Sequence, residues 1–140
     1  RFMDTLRELT PAMLARFTQI DYDREMAFIA VVPVEVAKDG KAGARAEREI
    51  GVCRYVTNPD GETCEFALAV LDAWQRRGLG QRLMNVLIEV ARTRGLKQMV
   101  GHVLANNTPM LALVRGLGFE ILPSREDVNA RYVQLRLPGA

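Results

Sequence analysis

Metal-binding side chains are scarce in this sequence. It has one histidine, His102, and two cysteines, Cys53 and Cys64. Their spacing matches no zinc pattern, so no metal site is expected, and two thiols are too few for a disulfide framework. Two free thiols, sitting as small hydrophobes on neighbouring strands, suit a reducing, cytoplasmic setting. Long apolar runs are missing too. None approaches the roughly 20 residues of a membrane-spanning helix, and no secretory h-region opens the chain. Nor is one charge in excess. The 19 basic and 17 acidic residues leave a net charge of +2, too balanced to point to nucleic acid. There is no internal repeat and no low-complexity tract.

What is there is an ordinary globular composition. The 140 residues are 49% apolar and 26% charged, enough for one domain around one core. The chain opens on Arg1 rather than Met, and residues 1–140 are expected to be a single domain cut from a longer polypeptide. Thr10-Pro11 predicts the start of a short helix with Met13, Leu14 and Phe17 as its apolar stripe. IDYDRE at 20–25 reads as an acidic loop. Met26–Val36 is β-branched and reads as a strand, with Pro33 asking for an edge or a bulge. The polar stretch AKDGKAGARA reads as a flexible connection. Glu49–Val56 reads as a second strand, NPDG at 58–61 as a turn, and the almost wholly apolar Thr63–Leu71 as a third strand buried on both faces. Leu79, Leu83, Val86, Leu87, Val90 and Ala91 recur at helical spacing up to Gly95. A strand over Lys97–Leu104, a helix from Thr108-Pro109 to Gly118, a short strand at Phe119–Leu122 and an alternating strand around Tyr132–Leu137 follow. An antiparallel meander followed by a crossover unit predicts a mixed α/β fold: a central mixed sheet of about six to seven strands with helices on both faces.

One segment combines bare backbone with positive charge. QRRGLGQRLM at 75–84 follows an apolar strand and opens a helix. A helix start presents unpaired N–H groups and part of a positive charge. Gly78 and Gly80 let an anion approach that backbone, while Arg76, Arg77 and Arg82 add cationic side chains. The segment therefore reads as a phosphate cradle or, more plainly, as a tight turn with solvated arginines. No Gly-Lys-Ser/Thr follows, which argues against a triphosphate site. The third glycine of a dinucleotide fingerprint is replaced by Leu83.

QRRGLG resembles the Gln/Arg-x-x-Gly-x-Gly/Ala loop of the GNAT family of N-acetyltransferases, and NTPMLALVRGLGF at 107–119 resembles that family's Asn-helix and Gly-Phe motif. The likeness covers roughly residues 26–137 and includes the order of elements. It implies the GNAT fold, with the sheet splayed between the strand before the loop and the strand after its helix. It also implies acetyl-CoA as co-substrate. Gln75, Arg76, Arg77, Gly78, Leu79, Gly80 and Gln81 would surround the pyrophosphate. Leu68, Ala69 and Val70 would pair with the pantetheine as an added strand, and Asn107 and Met110 would meet its arm. From the residues alone, Asn107 is equally a helix cap beside Thr108.

Acyl transfer to an amine needs a base, because a lysine with a pKa near 10.4 is almost all ammonium at pH 7. Glu65, beside FALAV, is the candidate: apolar surroundings would desolvate it. A strand-end glutamate facing water is the alternative. LTPAMLARFTQIDYDREMAFIAV at 9–31 and EFALAV at 65–70 are similar to the bacterial Pat-type protein lysine acetyltransferases, a likeness that makes Glu65 the general base. It also implies a lysine on a target protein, such as an acyl-CoA synthetase, as acceptor, and a fused regulatory or synthetase-like domain. A small amine as acceptor, or a non-catalytic acyl-CoA sensor, remains an alternative. The tyrosine that serves many GNAT enzymes as general acid is replaced by Val114. Tyr132 reads as a packed strand residue that could substitute, and His102 as structural or catalytic. Asp21, Tyr22 and Asp23 would attract a cationic acceptor, or form a solvated cluster.

Overall fold

The structure, a computed structural model, describes residues 16–21, 24–38, 41–75 and 77–138. They build one seven-stranded sheet. Its strands are β1 (Arg16–Asp21), β2 (Glu25–Lys38), β3 (Lys41–Thr57), β4 (Thr63–Val70), β5 (Gln98–Leu104), β6 (Glu120–Pro123) and β7 (Ala130–Arg136), in the order β1-β2-β3-β4-β5-β7-β6. All neighbours are antiparallel except β4 and β5, which are parallel. Helix α1 (Leu79–Thr93) joins those two, and α2 (Thr108–Gly116) follows β5. The mixed sheet of the sequence reading is therefore present.

The expected helix from Thr10 lies outside the described residues up to position 15, and Phe17 belongs to β1, opposite Ala30. The flexible connection expected at 37–46 is strand wherever it is described: 37–38 belong to β2 and 41–46 to β3, and 39–40 lie outside the described residues. β2 and β3 stay paired as far as Lys38↔Lys41, so the ladder satisfies their backbone groups. Pro33 sits where it does least harm. The register shifts at Ala30/Val31, and the described pairing of β1 ends at Val31. The NPDG turn forms as expected: the Asp60 carboxylate accepts the N–H groups of Glu62 (2.8 Å) and Thr63 (2.9 Å), and Gly61 takes φ +71°.

The apolar stripe of α1 (Leu79, Leu83, Met84, Val86, Leu87, Val90 and Ala91) is buried against β2, β3 and β4. The helix can lie close because Gly51 has no side chain: a Cβ there would stand 3.1 Å from Leu83 Cδ1. Both helices end alike. Gly95 donates to Arg92 O while Leu96 donates to Ala91 O; Gly118 donates to Arg115 O while Phe119 donates to Val114 O. Each is a 5→2, 6→1 pair closed by a glycine of positive φ.

The β4–β5 join is short. They pair at Thr63↔Gln98, Cys64↔Met99 and Glu65↔Val100 and then part, while β4 stays on β3 to Val70 and β5 on β7 to Leu104. One residue past the last pair, a Cβ on Gly101 would stand 2.3 Å from Phe66 Cε2. The Phe66 ring thus fills the space over that glycine and packs on Phe119, 5.3 Å between centroids. A buried aromatic wedge stands where the strands diverge, and the sheet forks there as the resemblance implied.

Candidate active site

β4 is not buried on both faces. It buries Cys64 and Phe66 and exposes Glu65, Ala67 and Ala69. The described helices meet over one face only: a Cβ on Gly80 of α1 would lie 3.3 Å from Leu113 Cδ2 of α2 and 3.5 Å from Leu68 Cδ2 of β4. Backbone direction follows the same alternation. Glu65, Ala67 and Ala69 lie opposite Val56, Arg54 and Val52, and Leu71, next in that series, donates to Ile50 O at 2.9 Å. Alternate residues of an antiparallel ladder bond to a given neighbour, so Phe66, Leu68 and Val70 turn their N–H and C=O groups into the fork. Ala69 lines the opening but turns its backbone to β3. The carbonyl of Val70 is taken by Gln75 Nε2 at 3.0 Å. Phe66, which the sequence reading passed over, belongs with Leu68 as an open main-chain edge. The signal was the two-residue period itself.

The helix start beside this edge is uncapped. Gly78 is the N-cap at φ +81°, no side chain bonds to the first turn, and no acidic residue lies in it. The first intrahelical bond runs from Arg82 N to Gly78 O, 3.1 Å. The N–H groups of Leu79, Gly80 and Gln81 precede it and have no acceptor within the helix. The Leu79 side chain is in the core, so that residue offers backbone alone. Arg77 is not simply solvated: its guanidinium lies over the Trp74 ring, 4.9 Å from the centroid. Arg76 lies outside the described residues.

These groups share a cleft of about 560 Å³. Leu68, Ala69 and Val70 form one wall, Gln75, Gly78, Gly80 and Gln81 the floor, and Asn107, Pro109, Met110, Ala112 and Leu113 of α2 the other wall. Asn107 is a helix cap in fact, since Oδ1 accepts from Met110 N at 3.2 Å, but its amide NH₂ is left to donate. Pro109, Ala112 and Leu113 were missed; their spacing along the Asn-helix was the available signal. A long anionic ligand with an amide arm fits this set of donors and apolar walls.

Glu65 is the last β4 residue to pair with β5, at the crotch of the fork, and its side chain is exposed. Among the described residues the apolar enclosure expected for it is absent, because the strand alternates. Val114 is fully buried in the core and does not face the cleft; Met110 and Leu113 do. Asp21 ends β1 in the row Asp21–Met26–Tyr55–Phe66, three strands from β4 and about 14 Å away at ordinary strand spacing. The sheet does not bring it to the fork, and Tyr22 and Asp23 lie outside the described residues. Cys53 and Cys64 are buried free thiols, each pushed up to about 12 by burial, and neither is a nucleophile. His102 of β5 and Tyr132 of β7 meet edge-on, 5.5 Å between centroids, at the wall of a second cavity. No helix among the described residues is long and apolar enough to cross a membrane.

A family model described as the acetyltransferase (GNAT) family matches residues 4–119. An acetyltransferase of Pseudomonas aeruginosa is 38% identical over 119 residues, covering 85% of this chain and 59% of its own. An L-methionine sulfoximine/L-methionine sulfone acetyltransferase of Pseudomonas paraeruginosa is 33% identical over 100 residues, 71% of this chain and 58% of its own. The chain thus spans about three fifths of the curated relatives it matches. Among solved structures, the GNAT domain of S. lividans PAT superposes with a TM-score of 0.65 at 25% identity, over 87% of this chain and 66% of that one.

Proposed function

Because the chain belongs to the acetyltransferase (GNAT) family, we propose that it transfers an acetyl group from acetyl-CoA to a primary amine, with Glu65 as the base. The observation that carries this reading is the uncapped helix start at Leu79–Gln81, which opens onto the same cleft as the free edge of β4. Pyrophosphate at those amides, and an amide arm along Leu68, direct a thioester towards the fork. The amine nitrogen attacks the thioester carbonyl. A C–N bond forms, the C–S bond breaks, and the amine's proton passes to Glu65 directly or through water. A β4 amide turned into the fork, that of Leu68 or Val70, holds the oxyanion. Neutralising a lysine at pH 7 takes about 5 kcal/mol, and that is the task set for the base. A thiol with a pKa near 8.5 leaves with little help. The buried thiols support a cytoplasmic setting as part of the same proposal.

Two acceptors suit this chemistry. A protein lysine is supported by the likeness to the PAT domain. A small amine is supported by a cavity on the Glu65 face of the sheet and by the methionine sulfoximine relative. Thiol release from acetyl-CoA tests the shared step. Glu65→Gln should bind acetyl-CoA as the wild type does and lose about 10²- to 10⁴-fold in kcat. An unchanged kcat removes Glu65 from the reaction.

A further inference from the structure

The cofactor cleft lies on the helix side of the sheet, whereas Glu65 faces the other side. Val100, the β5 partner of Glu65, shares that side, and so does His102, two residues further along. At His102 the sheet opens into a cavity of about 780 Å³, walled by Tyr132 and by the β6–β7 loop from Leu122 to Glu126. That is within the range of small-molecule sites, roughly 300–1,000 Å³. Its polar lining is rich in donors. The Ser124 hydroxyl already accepts the N–H groups of Glu126 and Asp127, both at 3.3 Å, which leaves its own proton to donate. His102 and Tyr132 each add a polar tip behind their mutual ring contact. Arg125 lines the cavity with no hydrogen-bond or ion-pair partner among the described residues. Glu126 is the one carboxylate among the described lining residues.

We propose that this cavity holds the acceptor, and that it selects a compact amine bearing a carboxylate, an amino-acid-like zwitterion whose carboxylate is read by Arg125. The proposal rests on the acetyl-transfer reading above. A guanidinium without a partner among the described residues, at the rim of an open cavity, matches a carboxylate by two parallel N–H···O bonds. Glu126, of the opposite sign, complements an ammonium as the substrate enters. The amine then lies on the Glu65 side of the fork, where the strands no longer separate the two faces. A lysine side chain of a folded protein brings no carboxylate to Arg125.

The test uses the full-length protein saturated with acetyl-CoA, and amines that differ only by the carboxylate. L-phenylalanine is compared with 2-phenylethylamine, L-methionine with 3-(methylthio)propylamine, and both with a lysine peptide blocked at its termini. Each amino acid should exceed its decarboxylated partner about 10- to 100-fold in kcat/KM. Arg125→Gln should erase that preference by raising KM for the amino acid, with acetyl-CoA affinity unchanged; Arg125→Lys should keep part of it. Turnover without a carboxylate preference, or a lysine peptide as the best acceptor, overturns this proposal and leaves acetyl transfer standing. Tight acetyl-CoA binding with no thiol release to any amine overturns both.

Discussion

Gly101→Ala puts the origin of the fork to the test. The new methyl carbon would meet three Phe66 ring atoms at 2.3, 2.7 and 2.8 Å, distances that no packed pair sustains, so the ring or the strand has to move. The ring is 8% exposed and rests on Phe119, which leaves it little room. Overpacking of this kind costs about 1–3 kcal/mol. With an unfolding entropy of about 2.1 cal/mol/K per residue, a chain of this length should melt about 3–10 °C lower. The same shift moves the open edge that begins at Phe66, so the Kd for coenzyme A should rise along with the loss of stability. Differential scanning calorimetry and isothermal titration read the two effects. Gly116→Ala is the control, since nothing lies within 4 Å of a Cβ there, and its melting temperature should hold or rise. Phe66→Leu added to Gly101→Ala should recover part of the loss, with a coupling of at least about 0.5 kcal/mol. A Gly101→Ala protein with the wild-type melting temperature and wild-type affinity would refute the wedge.

Asn107→Ala should lose about 1 kcal/mol with the cap and also weaken coenzyme A binding, whereas Asn107→Asp keeps the cap acceptor, so it should hold stability and lose only affinity. Native Cys53 and Cys64 should resist a thiol reagent at pH 8 and react once urea unfolds the chain, because burial pushes both to about 12. Their folded values lie above the ordinary 9.0, so their contribution to stability is full below about pH 9 and is lost as the pH rises towards 12. Urea midpoints across that window should fall more for the wild type than for Cys53→Ala/Cys64→Ala.

Local chemistry made much of the site legible. Two glycines at a helix mouth, an asparagine before Thr-Pro and an apolar strand before the loop each carry their meaning within a few residues, and nine of the twelve residues expected at the cofactor line one cleft. The hidden parts depend on what lies across the sheet. Glu65 reads as enclosed when its apolar neighbours are counted along the chain, but the large ones, Phe66, Leu68 and Val70, point to the other face. Val114 reads as a cleft residue by its place in a motif, yet the helix turns it into the core. Asp21 is acidic and near Glu65's strand in order of pairing, yet two strands intervene.

Sequence by itself determined the elements from β4 to β7 and the ends of the two helices between them, because periodicity, caps and glycines of positive φ act over one or two turns of chain. It also pointed to the uncapped helix start at Gly78–Gln81, since that is a property of its own backbone. Only the tertiary structure decided where β4 leaves β5, since that depends on a ring from one strand lying over a glycine of another, 35 residues away in sequence. It alone decided that the base candidate and the His102 cavity share one face while the cleft proposed for the cofactor lies on the other. A face is assigned by register between strands, and register is a contact between distant residues that no single segment contains.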